Sequence, residues 1–313
     1  MNKEGFDTPI VFMVFNRPDC TQRVFEEIRK IRPKTLLVIA DGHRKSKPGE
    51  ELLCRETREI IEKGVDWPCQ VMRNYADENM GCGLRVSSGL SWAFSKVEEA
   101  IILEDDCLPS PQFFDYTKEL LERYRNNRNI GMIGGFRYHP RHVMDNASYH
   151  FSSYCQIWGW ASWARAWEKY DFNADWWPEF RDSREFRKSF ISRITFRNLQ
   201  SQIDSAFRRE LDTWDLQWMA TCMRHGMLTI VPSKSLIENI GWGDDATHSK
   251  KAGRYTGLGY EVMEFPLNHP SEVERSRRLD RITEKIIFTP RLRSRLKRCL
   301  IEVKWSICKK LFP

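Results

Sequence analysis

Ile101-Ile102-Leu103-Glu104-Asp105-Asp106 passes within six residues from an apolar run to three adjacent carboxylates. A short apolar run of this kind is the pattern of a strand buried on both faces of a parallel sheet. Three neighbouring carboxylates repel one another, so the cluster costs free energy unless water or a cation offsets it. A divalent cation takes oxygen ligands of this type, and a diphosphate could complete its coordination. The plainer reading is an acidic loop ahead of the helix that starts at Pro111. Direct attachment to a buried strand favours metal-diphosphate binding.

Upstream the same pattern repeats. Pro9 to Phe15 reads as a buried strand, followed by Asn16-Arg17-Pro18-Asp19, with Pro18 suited to the first turn of a helix carrying Val24, Ile28 and Ile31. Thr35 to Ala40 is a second strand ending at Asp41-Gly42, and His43 to Gly49 is a polar loop. Glu50 to Lys63 reads as a helix, Cys69 to Arg73 as a third strand, Leu84 to Val97 as a helix and Ala100 to Leu103 as a fourth strand. This βαβαβαβ order predicts an α/β fold: a mostly parallel mixed sheet with flanking helices and right-handed crossovers. Ligands of such sheets bind beyond the carboxyl ends of the strands. Polar residues collect at every one of those ends. Farther on, Pro111 to Arg125 reads as a helix and Ile130 to Gly135 as a short strand, and the chain turns charged and helical from about Ser271.

The composition is that of a globular protein, with 313 residues, 41% hydrophobic and 30% charged. The pattern suits one large domain, 1–268, and a basic helical C-terminal extension, 269–313. The early apolar run Ile10 to Phe15 is far short of the about 20 residues that span a membrane. Met1 to Thr8 lacks the apolar region of a secretory signal, so the expected location is cytoplasmic. The nine cysteines include no C-x-x-C pair, which argues against zinc ribbons and thioredoxin-like chemistry. The net charge of +7 is uneven: Arg291 to Pro313 holds eight Lys/Arg and one acid, leaving 42 of each sign in 1–290. A body without a basic excess argues against a nucleic-acid partner. In the tail, Leu292, Leu296, Leu300, Val303, Ile307 and Leu311 recur at helical spacing among basic residues. Such a helix suits an anionic membrane surface, here the inner face, or docks on the body by its leucine stripe.

No standard phosphate-binding glycine loop is present. Gly81-Cys82-Gly83 permits a tight turn into the helix near Leu84, and Arg85 in its first turn could face an anion together with the helix N-terminus. At this point the chain resembles the GT-A fold nucleotide-sugar glycosyltransferases, of the family-2-like or N-acetylglucosaminyltransferase I-like kind. Pro9 to Pro18 is similar to their opening strand. Ala40-Asp41-Gly42 matches their second-strand aspartate, which contacts the base. Asn79-Met80-Gly81-Cys82-Gly83-Leu84-Arg85 resembles their N-x-G…R segment, and Glu104-Asp105-Asp106 their D-x-D motif. The resemblance covers roughly residues 9 to 250, by motif order rather than identity. It implies that Asp106 holds Mn²⁺ or Mg²⁺, that Glu104 and Asp105 face the ribose and donor sugar, and that Arg17, Asp41 and Arg85 bind the nucleotide.

Asp212-Thr213-Trp214-Asp215-Leu216-Gln217-Trp218 resembles the segment of the same group whose aspartate deprotonates the acceptor hydroxyl, which makes Asp215 the catalytic candidate. An inverting transfer uses one such carboxylate opposite the leaving diphosphate. Asp212 is its nearest competitor, or a cap for a helix beginning at Thr213. Eight of twelve tryptophans lie between Trp158 and Trp218, and Trp160, Trp163 and Trp167 fall at the spacing of one helix face. Trp158 and Gly159, ahead of that helix, resemble a segment bordering the donor sugar. The glycine-rich loop Asn239 to His248 resembles a segment that closes over the donor in these enzymes, which makes His248 the candidate histidine on the metal or the diphosphate; the plainer reading is a solvent-exposed loop histidine.

The expected function is metal-dependent transfer of a sugar from a nucleotide diphosphate sugar to a glycan or lipid-linked glycan hydroxyl in a bacterial glycan pathway; the resemblance implies a UDP-sugar donor and inversion. The alternative is a non-catalytic glycan- or nucleotide-sugar-binding protein on the same fold. A sugar nucleotidyltransferase shares the sheet, but its glycine-rich G-x-x-x-R signature is replaced here by Asn16-Arg17-Pro18-Asp19.

Overall fold

Ile10–Val14 (β1) is buried along its whole length and forms the middle of the sheet's parallel half. The computed structural model describes residues 5–139, 146–241 and 259–288. β1 is followed by Pro18–Ile31 (α1), Thr35–Ala40 (β2), Glu50–Gly64 (α2), Gln70–Tyr75 (β3), Cys82–Phe94 (α3) and Glu99–Glu104 (β4). Cys107–Pro109 (β5), Pro111–Tyr124 (α4), Ile130–Gly134 (β6), Tyr149–Ser152 (β7), Trp160–Trp163 (β8) and Ala164–Trp167 (α5) come next. Then follow Trp177–Phe180 (α6), Arg184–Lys188 (α7), Arg193–Phe207 (α8), Asp215–Arg224 (α9), Leu228–Pro232 (β9), Ile237–Asn239 (β10) and Arg277–Thr283 (α10), which runs into a π-helical turn, Glu284–Phe288.

The main sheet has eight strands in the order β3-β2-β1-β4-β8-β6-β9-β7. β3, β2, β1 and β4 are mutually parallel, with Val11 paired to Leu37 on one side and Ile102 on the other. β8 runs antiparallel between β4 and β6, β9 is parallel to β6, and β7 is antiparallel to β9. This is the mostly parallel mixed sheet with flanking helices that the sequence predicts.

Alternate side chains of β1 enter different cores. Ile10, Phe12 and Val14 pack with Val24, Phe25 and Ile28 of α1, Ile61 of α2 and Phe113, Tyr116 and Leu120 of α4. Val11 and Met13 pack on the opposite face with Leu90 and Ala93 of α3 and Trp218 and Cys222 of α9. Burial on both faces explains why these strands read as continuous apolar runs. A third cluster joins the short helices α6 and α7 to α8 through Trp177, Phe186, Leu199 and Ile203. β5 and β10 form a separate antiparallel pair, Asn239 opposite Cys107, next to the end of β4.

One expectation is overturned. Trp160 and Trp163 lie not on a helix but on β8, and only Ala164–Trp167 is helical. Trp160 belongs to the core shared with α3 and α9, and Trp163 to the core shared with α4. Residues three apart on a strand point to opposite faces, and here both faces are buried. A spacing of three therefore fits a doubly buried strand as well as a helix.

The described part of the extension, through Phe288, is docked on the body. Asp280 accepts from Ser152 Oγ (2.5 Å), Ser153 N (3.2 Å) and Arg275 Nε (2.5 Å). Glu284 accepts from Tyr154 Oη and from the Ile191 and Ser192 N–H groups, the last two at 2.7 Å. The basic stretch 291–313 lies outside the described residues, as do His248 and most of the glycine-rich loop. No helix among the described residues is long and apolar enough to cross a membrane.

Candidate functional site

The carboxyl ends of β1, β2 and β4 open into one cavity of about 630 Å³, closed on the far side by the segment leading into α9. Ligand sites run to about 300–1,000 Å³. Of the residues singled out in the sequence, Arg17, Asp41, Arg85, Glu104, Asp105, Asp106, Trp158 and Asp215 all line it. Gly159 does not: at φ +55° it turns the chain into β8, and a Cβ there would lie 2.4 Å from Ile237 Cδ1.

Arg17 follows β1 directly, and its Nη1 lies 2.8 Å from Asp106 Oδ2 and 3.8 Å from Asp105 Oδ1. Asp105 Oδ2 also accepts from Phe15 N at 3.2 Å. Burial and the Asp106 charge push Asp105 up to about 7, against the pull of Arg17 and the Phe15 N–H. Glu104 is held well above the usual carboxylate range, first by burial and then by the charges of Asp106, Asp105 and Asp215. The backbone of Gly241 packs against the ion pair, where a Cβ would sit 2.2 Å from Asp106 Oδ2 and 2.8 Å from Arg17 Nη1. Only glycine permits that approach.

Asp41 is buried and accepts from Gly42 N, Met80 N and Asn79 Nδ2, each at 2.9 Å. Burial raises its pKa, and the Met80 and Gly42 N–H groups and the charge of Arg85 oppose the rise. The guanidinium of Arg85 does not turn to an anion with its helix N-terminus. It donates to Ala40 O (3.2 Å) and to the O (2.5 Å) and Oδ1 (2.6 Å) of Asn74, tying together the ends of β2 and β3.

Asp215 opens α9, and its Oδ1 accepts from Leu216 N (2.8 Å) and from the Thr213 hydroxyl. Asp212 does not cap a helix starting at Thr213. Its two oxygens take the Cys82 and Gly83 N–H groups at 2.9 and 2.7 Å, at the start of α3. Trp158 packs on Phe136, with ring centroids 4.8 Å apart.

Sequence reading missed Arg44, which also lines the cavity, lies over the Phe15 ring at 5.4 Å and pairs with the buried Glu50. Its place in the polar loop after β2 gave no signal. In all, six acids line the cavity, Asp41, Glu104, Asp105, Asp106, Asp212 and Asp215, against three arginines. Such a wall holds cations, or anions that arrive with cations. Among the described residues no three His, Cys, Asp or Glu side chains converge as a complete metal-ligand set.

No protein-family model matches the chain, and no curated protein matches it. Among solved structures, S. aureus TarS is 10% identical over 72% of this chain and 58% of its own, at a TM-score of 0.41. A cytidylyltransferase from Leptospira borgpetersenii is 13% identical over 53% and 64%, at 0.34. A UDP-glucose pyrophosphorylase complexed with UDP-glucose is 12% identical over 46% and 62%, at 0.26. The chain thus spans less than two thirds of the length of each of these three. At scores this low the likenesses carry nothing about chemistry.

Proposed function

We propose that this protein is a metal-dependent glycosyltransferase that moves a sugar from a nucleotide diphosphate sugar, a UDP-sugar, to a carbohydrate hydroxyl with inversion. The carrying observation is the surplus of carboxylates around one cavity at the strand ends, with Asp105 and Asp106 crowded on a single arginine. A diphosphate alone would be repelled there, whereas a cation and a diphosphate together neutralise both charges. The donor chemistry suits a hard cation: the carboxylate oxygens of Glu104, Asp105 and Asp106 all line the cavity at the end of β4. Asp106 would hold Mn²⁺ or Mg²⁺, with ligand oxygens completing the coordination. When bound, the ion would offset the charge that develops on the leaving diphosphate.

The chain's own groups divide the remaining work. Asp41, fixed by three N–H donors, presents a carboxylate to the nucleobase end. Arg17, ion-paired with Asp106, supplies positive charge at the mouth of β1. Asp215, on the wall formed by α9, takes the proton from the acceptor hydroxyl, its Oδ1 already oriented by Thr213 and Leu216 N. Trp158 offers an indole face to the sugar.

Slow hydrolysis of UDP-sugars tests the reading without knowledge of the acceptor. Turnover that requires Mn²⁺ or Mg²⁺ and falls at least about 100-fold in Asp215→Ala supports it. Metal-independent turnover, or a variant as fast as wild type, contradicts it.

A further inference from the structure

Gly81, at φ +79°, opens α3 with no side chain to cap it. The first N–H groups of a helix lack intrahelical acceptors and form the positive end of its dipole. Here a carboxylate from 130 residues beyond Cys82 occupies that end: Asp212 Oδ2 takes Cys82 N and Oδ1 takes Gly83 N. The fit depends on both glycines. A Cβ at Gly81 would lie 2.7 Å from Asp212 Oδ2, and one at Gly83 would lie 2.7 Å from Thr213 O. The Gly81-Cys82-Gly83 turn is therefore shaped to receive the 212–213 backbone, and the helix end is filled by the protein's own anion.

This junction lies between two parts of the site. On one side, Met80 N holds Asp41 Oδ1 at 2.9 Å. On the other, the Thr213 hydroxyl donates to Asp215 Oδ1, and Gln217 Nε2 holds Thr213 O at 2.9 Å. Both oxygens of Asp212 are engaged by backbone donors, which holds its carboxylate at the helix end. We propose that Asp212 is a positioning residue. By seating on the α3 N-terminus it fixes Thr213 and, through Thr213, the Asp215 carboxylate against the wall that carries Asp41. This rests on Asp215 being the base of the transfer. Asp212 is exposed to solvent, so water can replace its carboxylate and the fold survives its removal. What is lost is the placement of Asp215.

The test compares wild type, Asp212→Ala, Asp215→Ala and the double variant by Mn²⁺-dependent UDP-sugar hydrolysis, UDP titration and thermal melting. Asp212→Ala should lower kcat by about tenfold or more while KM and UDP affinity change by less than about twofold. The double variant should be no slower than Asp215→Ala alone, because Asp212 acts only through Asp215. Asp212→Asn, which keeps one acceptor oxygen, should fall between wild type and Asp212→Ala. Wild-type turnover in Asp212→Ala overturns the proposal. So does a double variant slower than Asp215→Ala by the full Asp212→Ala factor, or UDP affinity lost in step with turnover. If Asp215→Ala itself hydrolyses at the wild-type rate, the base assignment fails first and this inference with it.

Discussion

Arg17 Nη1 and Asp106 Oδ2 lie 2.8 Å apart, and the backbone of Gly241 is pressed against both. The most crowded carboxylate corner of the cavity is thus held by one internal cation under a glycine cover. Each element of that corner comes from a different part of the chain: the end of β1, the end of β4 and the residues after β10.

The glycine cover gives a sharp test. In Gly241→Ala the new methyl would stand 2.2 Å from Asp106 Oδ2, so either the ion pair or the 239–241 backbone must shift. UDP affinity in the presence of Mn²⁺ should fall at least about tenfold, with a stability loss of about 1–3 kcal/mol. Titration calorimetry and a melting curve on the same preparation check both numbers.

Asp105 imposes a pH dependence whose sign is fixed by its environment. Its folded-state pKa is pushed up to about 7 from 3.8, so between those values the folded chain keeps a proton that the unfolded chain gives up. Its contribution to stability is full below 3.8, declines as the pH rises through about 7, and is flat above. Asp105→Asn cannot titrate. The stability of wild type relative to Asp105→Asn should therefore fall between pH 4 and 7, by on the order of 2–4 kcal/mol. Urea melts at a series of pH values without added metal measure it. A difference that rises with pH would contradict the burial of this carboxylate.

Trp160 has no exposed surface and stacks on Trp214, with centroids 5.6 Å apart and planes 20° from parallel. Truncation to alanine removes an indole from a packed core, and Trp160→Ala should cost about 3–5 kcal/mol. A chemical-denaturation midpoint that barely moves would mean that Trp160 is not packed in this core.

How much of this was legible beforehand differs by element. β1, β2 and β4 announce themselves because burial on both faces leaves continuous apolar runs, and their polar ends mark the cavity. Trp160 and Trp163 misled because on a four-residue strand the spacing that separates helix from sheet has no room to show. Asp212 was visible as a capping residue, but its partner helix lies 130 residues earlier, and no local pattern encodes that pairing. Asp280 and Glu284 lie in the segment that reads only as charged and helical, and nothing local marks them as buried, because their donors come from Ser152, Tyr154 and the 191–192 backbone.

Those buried acids make their own prediction. Asp280→Ala leaves Arg275 and Ser152 without their carboxylate and should destabilise the protein by about 3 kcal/mol in urea melts. Asp280 does not line the cavity, so UDP affinity should be unchanged at temperatures where the variant is folded. Loss of both together would tie the docking of α10 to the site.

Titration of UDP into wild type and Asp106→Ala, with and without Mn²⁺, reaches the central claim most directly. UDP should bind wild type only with the metal, and Asp106→Ala should lose this binding while its melting curve stays close to that of wild type. Equal UDP binding with and without Mn²⁺, unaltered by Asp106→Ala, would contradict it, as would no binding under any condition.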